Sequence, residues 1–155
     1  MKAMTSRSTP VNMAHHSYYN LAGHGTGRAT LFDHTLTLPA PALTPPGPDL
    51  LPTGEIRPVA GTRYDLRAGR RLGEVMREVG GLDHNWVVRR GAGRGGLQLA
   101  AILSHPPSAT EMRVLSNQPG IQVYTGNFLP VAGLPGKEHS MMMSSLLSGL
   151  ASMYG

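Results

Sequence analysis

Polar and apolar residues alternate with a period of two in several short segments of this chain. Successive side chains of a β-strand point to opposite faces, so this alternation predicts strands with one buried face. The clearest segments are 34–38, HTLTL, and 97–104, LQLAAILS, which puts Leu97, Leu99, Ala101 and Leu103 on one face. We therefore expect an all-β protein with long loops.

Two segments depart from this alternation. Between residues 70 and 79 apolar side chains recur at i, i+3, i+4 and i+7, and Gly80 follows, so we expect a short amphipathic helix near 70–79. From about residue 140 the Met/Ser/Leu-rich tail segregates its apolar side chains onto one helical stripe. This pattern predicts a C-terminal helix that packs on the core. A helix that binds a partner or a membrane surface is the alternative, because the segment is too short and serine-rich to span a membrane.

The stretch 39–55, PAPALTPPGPDLLPTGE, is rich in proline. Proline has no backbone N–H to donate to a sheet, so it is confined to edge strands and irregular segments. We expect this stretch to be irregular and to lie at the surface.

Composition narrows the class of protein. A chain of 155 residues suits one domain, and the absence of cysteine excludes disulfides and cysteine-based metal sites. The first ten residues lack the apolar run of a secretory signal, so we expect an intracellular, cytoplasmic protein.

The net charge of +5 raises the possibility of an anionic partner such as nucleic acid. The arginines are spread from Arg7 to Arg113, however, and aromatic residues do not interleave with them as they do in proteins that stack bases. We expect no nucleic-acid partner and no membrane partner. Nucleic-acid binding stays an alternative that would show itself by a strongly salt-dependent affinity.

Three motif-like features carry little functional information. GAGRGG (91–96) fits the dinucleotide-binding pattern, but a predicted strand follows it where that pattern needs a helix, so we interpret it as a hairpin loop. The seven histidines lack the His-x-x-x-His spacing of zinc enzymes. Ser17 follows His16 directly, and neighbours on a strand point apart, so the two do not form a nucleophile–base pair. We expect neither a metal nor a cofactor.

Five ordered segments resemble the aldose 1-epimerase (galactose mutarotase) family: TPVNMAHHSYYNLAG, DHTLTL, LLPTGEIRPVAGTRYDLR, GLDHNWVV and LSNQPGIQVYTGNFL. The resemblance runs from about residue 9 to 129, and its specificity comes from the shared order and spacing. It implies part of a large antiparallel β-sandwich over residues 9–130. Residues 1–8 would then be a leader, and residues 131–155 a divergent tail.

The resemblance also implies a reaction on a hexose such as galactose or glucose. In the family a carboxylate removes the proton of the anomeric hydroxyl while a histidine protonates the ring oxygen, and the opened ring recloses on either face. Histidine suits this role because an unperturbed imidazole titrates near pH ~6.5. The motif match assigns the role to His16. Adjacent strand residues point apart, so His15 should turn away from the sugar.

The same match implies the sugar-binding residues. Ser17 and Tyr18 would lie at the rim of the sugar, Asp83 would accept hydrogen bonds from its hydroxyls, and Gln122 would add a further contact. A carboxylate is a strong acceptor for hydroxyl groups.

Two parts of the family pattern have no counterpart here. Family members carry an N-terminal portion with a second histidine and an arginine, and a later strand with the glutamate base. Glu138 does not stand in such a motif. We therefore expect a partial aldose 1-epimerase with weak or no activity, and a non-catalytic carbohydrate-binding or interaction module is the alternative.

Overall fold

The computed structural model of the chain contains two antiparallel sheets packed around one core. It describes residues 3–11, 13–88 and 96–129 in full, and the backbone of 134–135, 141–142 and 146–149. The strands are β1 His16–Tyr19, β2 Thr35–Thr37, β3 Ala42–Thr44, β4 Arg57–Pro58, β5 Arg70–Arg71, β6 Asp83–Val87, β7 Gln98–His105, β8 Thr110–Ser116, β9 Gly120–Tyr124, β10 Leu134–Pro135, β11 Met141–Met142 and β12 Leu146–Gly149. The helix α1 spans Leu72–Val79, and short 3-10 helices span Arg28–Asp33 and Pro106–Ser108.

The larger sheet has six strands in the order β1-β12-β9-β6-β3-β4, and the smaller has the order β5-β2-β7-β8. A separate pair joins β10 to β11. Trp86, Ile121 and Val123 of the larger sheet share one buried cluster with Leu36 and Leu103 of the smaller sheet. The prediction of an all-β sandwich is therefore confirmed.

The helix predicted near 70–79 is confirmed, with a later start. Arg70–Arg71 pairs with β2 as a strand, and the helix begins at Leu72. Leu72, Val75 and Met76 are buried, as the i, i+3, i+4 pattern requires. Gly80 ends the helix in the left-handed conformation, and its N–H donates to the Met76 carbonyl at 2.9 Å.

The two segments with alternating polarity differ in how well the structure matches the prediction. In 34–38 the strand β2 forms with Leu36 and Leu38 buried, as predicted. In 97–104 a β-bulge between Leu99 and Ala101 shifts the register against β8. The inserted residue interrupts the two-residue period, so Leu99, which stands opposite the exposed Leu115, faces away from the core, whereas Ala101 and Leu103 face it. Leu97 lies outside the strand and is exposed, so the predicted common face is wrong at its first two positions.

The prediction for the proline-rich stretch 39–55 is wrong over part of its length, because Ala42–Thr44 is a strand and Ala40 and Pro45 are also buried. Ala42–Thr44 forms β3, which pairs with β6 on one side and with β4 on the other, and Leu43 is buried. The strand is possible because its prolines stand outside it, at Pro41 and Pro45, so its own N–H groups can enter the ladder. Residues 48–55 are exposed, as expected.

The C-terminal helix predicted from about residue 140 is also corrected where the structure describes the tail. Met141–Met142 and Leu146–Gly149 are strands, and β12 lies between β1 and β9. The edges of two neighbouring strands offer this segment backbone partners, and such pairing outweighs a weak helical pattern. The rest of the predicted helix lies outside the described residues, as do residues 91–95 of the glycine-rich loop. Within the described part of the chain, no helix is long and apolar enough to cross a membrane.

Candidate functional site

The pairing register brings a histidine, a carboxylate and an amide to one face of the larger sheet. Residues directly opposite in an antiparallel pair share a face. One row across the sheet joins His16, Gly149, Gln122 and Asn85. The adjacent row on the same face joins Tyr18, Leu147, Tyr124 and Asp83.

This face is the outer one, because the alternate residues Trp86, Ile121 and Val123 point into the core. Four of the five predicted site residues thus share the outer face: His16, Tyr18, Asp83 and Gln122. His16 is exposed, and its ring centroid lies 5.5 Å from that of Tyr18.

Ser17 has a different placement from the one expected. It stands opposite Ser148, which stands opposite Val123, so its side chain belongs to the core-facing side of the sheet. Ser17 Oγ lies 3.2 Å from His15 Nε2 on that same side. Side-chain direction thus separates both residues from His16, and the binding role of Ser17 stays a prediction without geometric support.

Asp83 and Gln122 form the polar centre of this face. Gln122 Nε2 donates a hydrogen bond of 2.8 Å to Asp83 Oδ1. The contact fixes the amide so that Gln122 Oε1 is free to accept, while the carboxylate offers its second oxygen to another donor. The pair can therefore accept hydrogen bonds from neighbouring hydroxyl groups of one ligand.

The residue before Asp83 is anchored by the chain that follows β9. The Leu82 N–H donates to Thr125 Oγ1 at 2.8 Å, and the Leu82 carbonyl accepts from the Thr125 N–H and from Asn127 Nδ2, each at 3.0 Å. Gly81 enters this anchor with φ 127°, and a Cβ there would collide with Asn127. The turn therefore requires glycine, and it sets the start of β6 and the position of Asp83.

A depression of about 660 Å³ opens beside this pair, a size that suits a small-molecule ligand. Asp83, Gln122, Asn85 and Thr44 give it a polar side, and Leu50 and Phe128 belong to its apolar rim. His16 lies two strands along the same face, at two strand spacings or roughly 10 Å from Gln122. The residue between them in the register is Gly149.

His84, next to Asp83, is partly buried, and this burial lowers its pKa despite the opposing effect of the Asp83 charge. Its Nδ1 accepts from the Asp83 N–H at 3.1 Å, and its ring centroid lies 4.8 Å from that of Tyr64. The lowered pKa favours the neutral form of His84, which also lines the depression. Among the described residues no three histidine, aspartate or glutamate side chains are grouped to hold a metal ion.

The sequence analysis missed Asn85 and Tyr124, which share the outer face with Asp83 and Gln122. Asn85 Nδ2 donates to Thr44 Oγ1 at 3.0 Å, while its Oδ1 is buried and lacks a hydrogen-bond partner. The two-residue period of a strand could have identified them, because Asn85 and Tyr124 each stand two residues from a predicted site residue on the same strand.

Comparison with known proteins assigns the family. A model of the family "Aldose 1-epimerase" matches residues 1–148, nearly the whole chain. The chain belongs to the aldose 1-epimerase family. This confirms the resemblance that the five ordered segments indicated.

Relatives in this family agree with the assignment. The chain is similar to galactose mutarotase of Sus scrofa, with 44% identity over 130 residues, and to that of Homo sapiens, with 39% identity. It is also similar to aldose 1-epimerase of Escherichia coli, with 28% identity over 134 residues. Each comparison covers 83% of this chain, which spans only 36–37% of the length of these relatives.

Solved structures support the same fold. A GalM/aldose epimerase homologue from C. elegans superposes with a TM-score of 0.74 at 23% identity, over 91% of this chain and 42% of the other. Galactose 1-epimerase from Lactobacillus acidophilus gives a TM-score of 0.64 at 23% identity, over 90% and 40% of the two chains. The two packed sheets are therefore those of a galactose mutarotase-like sandwich.

Proposed function

We propose that the protein acts on hexoses as an aldose 1-epimerase, interconverting their α and β anomers by acid–base ring opening. The observation that carries this proposal is the outer face of the larger sheet, where His16 lies along the same row as Gln122, which is bonded to Asp83. Galactose and glucose are the substrates we expect, since relatives named galactose mutarotase share 39–44% identity with the chain.

Each residue has a role that suits its chemistry. Asp83 and Gln122 accept hydrogen bonds from sugar hydroxyls, and the sugar extends over Gly149 toward His16. His16 donates a proton to the ring oxygen and takes it back when the ring closes. Tyr18 packs beside the His16 ring, which restricts the directions from which the imidazole can reach the sugar.

The reaction also needs a carboxylate that acts as the base. Among the six strands of this sheet, Asp83 is the sole carboxylate. Five other carboxylates are paired with arginine, and one of them, Glu111, lies on β8 of the smaller sheet: Asp33, Glu55, Asp65, Glu78 and Glu111. General base assistance is typically worth ~10²–10⁴-fold in rate, so we propose that the 155-residue chain alone is a weak catalyst.

The presence of a single carboxylate on the strands of this sheet also favours a second candidate, a hexose-binding module without catalysis. The pair Asp83–Gln122 and the depression beside it suffice to bind hydroxyl groups, whereas turnover needs a proton acceptor as well. Binding of galactose without faster mutarotation would favour this second candidate.

Polarimetry of freshly dissolved α-D-galactose tests the proposal. Turnover above the buffer rate should fall to the buffer rate in His16→Ala and should persist in the matched variant His15→Ala, because these neighbouring side chains point to opposite faces. Equal loss in both variants would contradict the strand assignment. Turnover that survives in His16→Ala would remove the acid role of this residue.

A further inference from the structure

A loop residue just beyond β1 is held through both of its backbone polar groups. The Leu21 N–H donates to His34 Nε2 at 3.0 Å, and the Leu21 carbonyl accepts from Ser108 Oγ at 3.2 Å. Both side chains flank the smaller sheet, next to β2 and β7, whereas β1 belongs to the larger one. The contacts therefore tie the end of the strand that carries His16 to the opposite layer of the sandwich.

The hydrogen-bond partners of His34 define which of its ring nitrogens carries the hydrogen. Its Nδ1 lies 3.0 Å from the Thr30 carbonyl, which can only accept, so Nδ1 carries the hydrogen and Nε2 is the bare acceptor toward Leu21. The ring is fully buried, and burial lowers its pKa, which favours the neutral form. Neutral His34 thus satisfies the backbone N–H of Leu21 and the backbone carbonyl of Thr30, both at part-buried positions.

A second buried histidine supports the other half of the contact. The His105 ring stacks on His34 with centroids 4.6 Å apart, and its Nδ1 lies 2.7 Å from Ser108 Oγ. A serine hydroxyl has one hydrogen, so when Ser108 donates it to Leu21, the His105 Nδ1–H must donate to Ser108. The three side chains and the Leu21 backbone then form one continuous hydrogen-bonded and stacked group.

We propose that His34, His105 and Ser108 are positioning residues that hold Leu21 and thereby keep β1 in the register that presents His16 to the depression. This inference rests on the proposed function, since it concerns the placement of His16. β1 is four residues long, lies at the edge of the sheet and pairs with β12 alone. A slip of one residue would turn His16 to the core side, so such a strand needs an anchor outside its own ladder.

NMR of the ¹⁵N-labelled 155-residue chain tests the anchor without sugar. In the wild type the His34 ring should show a protonated Nδ1 and a bare Nε2 at pH 7.5. His34→Leu keeps an apolar side chain in the core but removes the acceptor, and the protection of the Leu21 amide from hydrogen exchange should fall up to about tenfold, the net worth of one hydrogen bond. His34→Gln offers an amide oxygen in its place and should restore most of that protection. Ser104→Ala, on the opposite face of β7, is the control and should change nothing.

The positioning role has its own readout. The cross-strand contact between the backbones of His16 and Gly149, which a slip of the register would remove, should be present in the wild type and in His34→Gln, and weakened in His34→Leu. Addition of α-D-galactose should shift the Tyr18 and Gln122 signals in the wild type, whereas His34→Leu should keep the Gln122 shift and lose the Tyr18 shift.

The outcomes separate the two proposals. A wild type whose signals do not shift with galactose contradicts the proposed function, while the anchor is then judged on Leu21 exchange and on the His16–Gly149 contact. Unchanged exchange and contact in His34→Leu would overturn the anchor. Should His34→Leu not fold, Ser108→Ala and Ser108→Thr supply the same comparison at the exposed residue. Lower Leu21 protection in the alanine variant alone supports the anchor, and equal protection in both overturns it.

Discussion

The two halves of the candidate site are built differently. Asp83 and Gln122 stand on β6 and β9, which pair directly over five residues and bury their other face in the core. His16 stands at the exposed start of β1, an edge strand that reaches β9 only through β12. The half with Asp83 and Gln122 therefore belongs to the centre of the sheet, and the half with His16 to its margin.

The anchors of the two halves differ in the same way. Leu82, which precedes Asp83, is held by Thr125 and Asn127 from the chain that continues β9, so the anchor and the strand pair form one unit. Leu21, which follows β1, is held by His34 and Ser108 beside the other sheet. Under the proposed function, we expect substitutions near β6 to affect folding and binding together, and those near Leu21 to act mainly on His16.

The largest expected effect is on the central half, from Gly81→Ala. A side chain at φ 127° is strained by about 1–3 kcal/mol, and the added Cβ would also displace Asn127, which adds ~1–3 kcal/mol of overpacking. We expect a lower free energy of unfolding and a loss of galactose binding through Asp83. Urea denaturation followed by the fluorescence of Trp86, the single and fully buried tryptophan, measures the first effect.

Gly80→Ala is the matched control for this substitution. Gly80 also has a positive φ, 76°, but open space surrounds the position that its Cβ would occupy. Its replacement should destabilise the chain by about 1–2 kcal/mol and leave galactose binding in place. Equal destabilisation by the two variants would show that Asn127 does not hold the turn.

Much of this fold could be predicted because local patterns and tertiary contacts agree. At β2 and α1 the apolar period matches the buried face, so periodicity alone located both elements. The predictions were wrong where long-range partners decide the outcome. Ala42–Thr44 becomes a strand because β6 and β4 both flank it, and residues 146–149 pair with the free edges of β1 and β9.

The candidate site shows the same limit. The family motifs pointed to His16, Asp83 and Gln122, but which residues share a face depends on the register of three strand pairs. That register includes Asn85 and Tyr124 and turns Ser17 away. The anchors of Leu21 and Leu82 join residues 13–87 positions apart, and a single sequence carries no signal for such contacts.

A smaller effect on the central half should come from Gln122→Ala. This variant removes a hydrogen-bonding group and frees the Asp83 carboxylate to rotate, so affinity for galactose should fall about 2- to 10-fold, the net value of one hydrogen bond. Isothermal titration at pH 7.5 measures it, with Gln118→Ala, outside the depression, as the control. An unchanged affinity would place the sugar elsewhere on the sheet.

The smallest expected effect is a pH dependence of the free energy of unfolding. It reports on His34, which supports the half of the site that contains His16. Burial lowers the pKa of His34, and a bond to the Thr30 carbonyl only partly opposes this. The unfolded chain, with an ordinary value of 6.5, therefore binds more protons than the folded chain near and below that pH. The contribution of His34 to stability is complete above about pH 7 and declines as the pH falls through 6.5 toward its folded pKa. His84 adds in the same direction, since burial lowers its pKa too.

Urea denaturation at pH 7.5, 6.5 and 5.5 can resolve this decline, because the carboxylates with lowered pKa change the free energy of unfolding in a different pH range. Glu55, Asp65 and Glu78 are held below their ordinary values of 3.8–4.5 by arginine, so their contribution is lost only at more acidic pH. The free energy of unfolding should fall between pH 7.5 and 5.5, and fall less steeply in His34→Gln, which has no titrating group beside Leu21. An identical slope in the two proteins would show that His34 does not contribute to the pH dependence, and would contradict the lowered pKa of His34 in the folded chain.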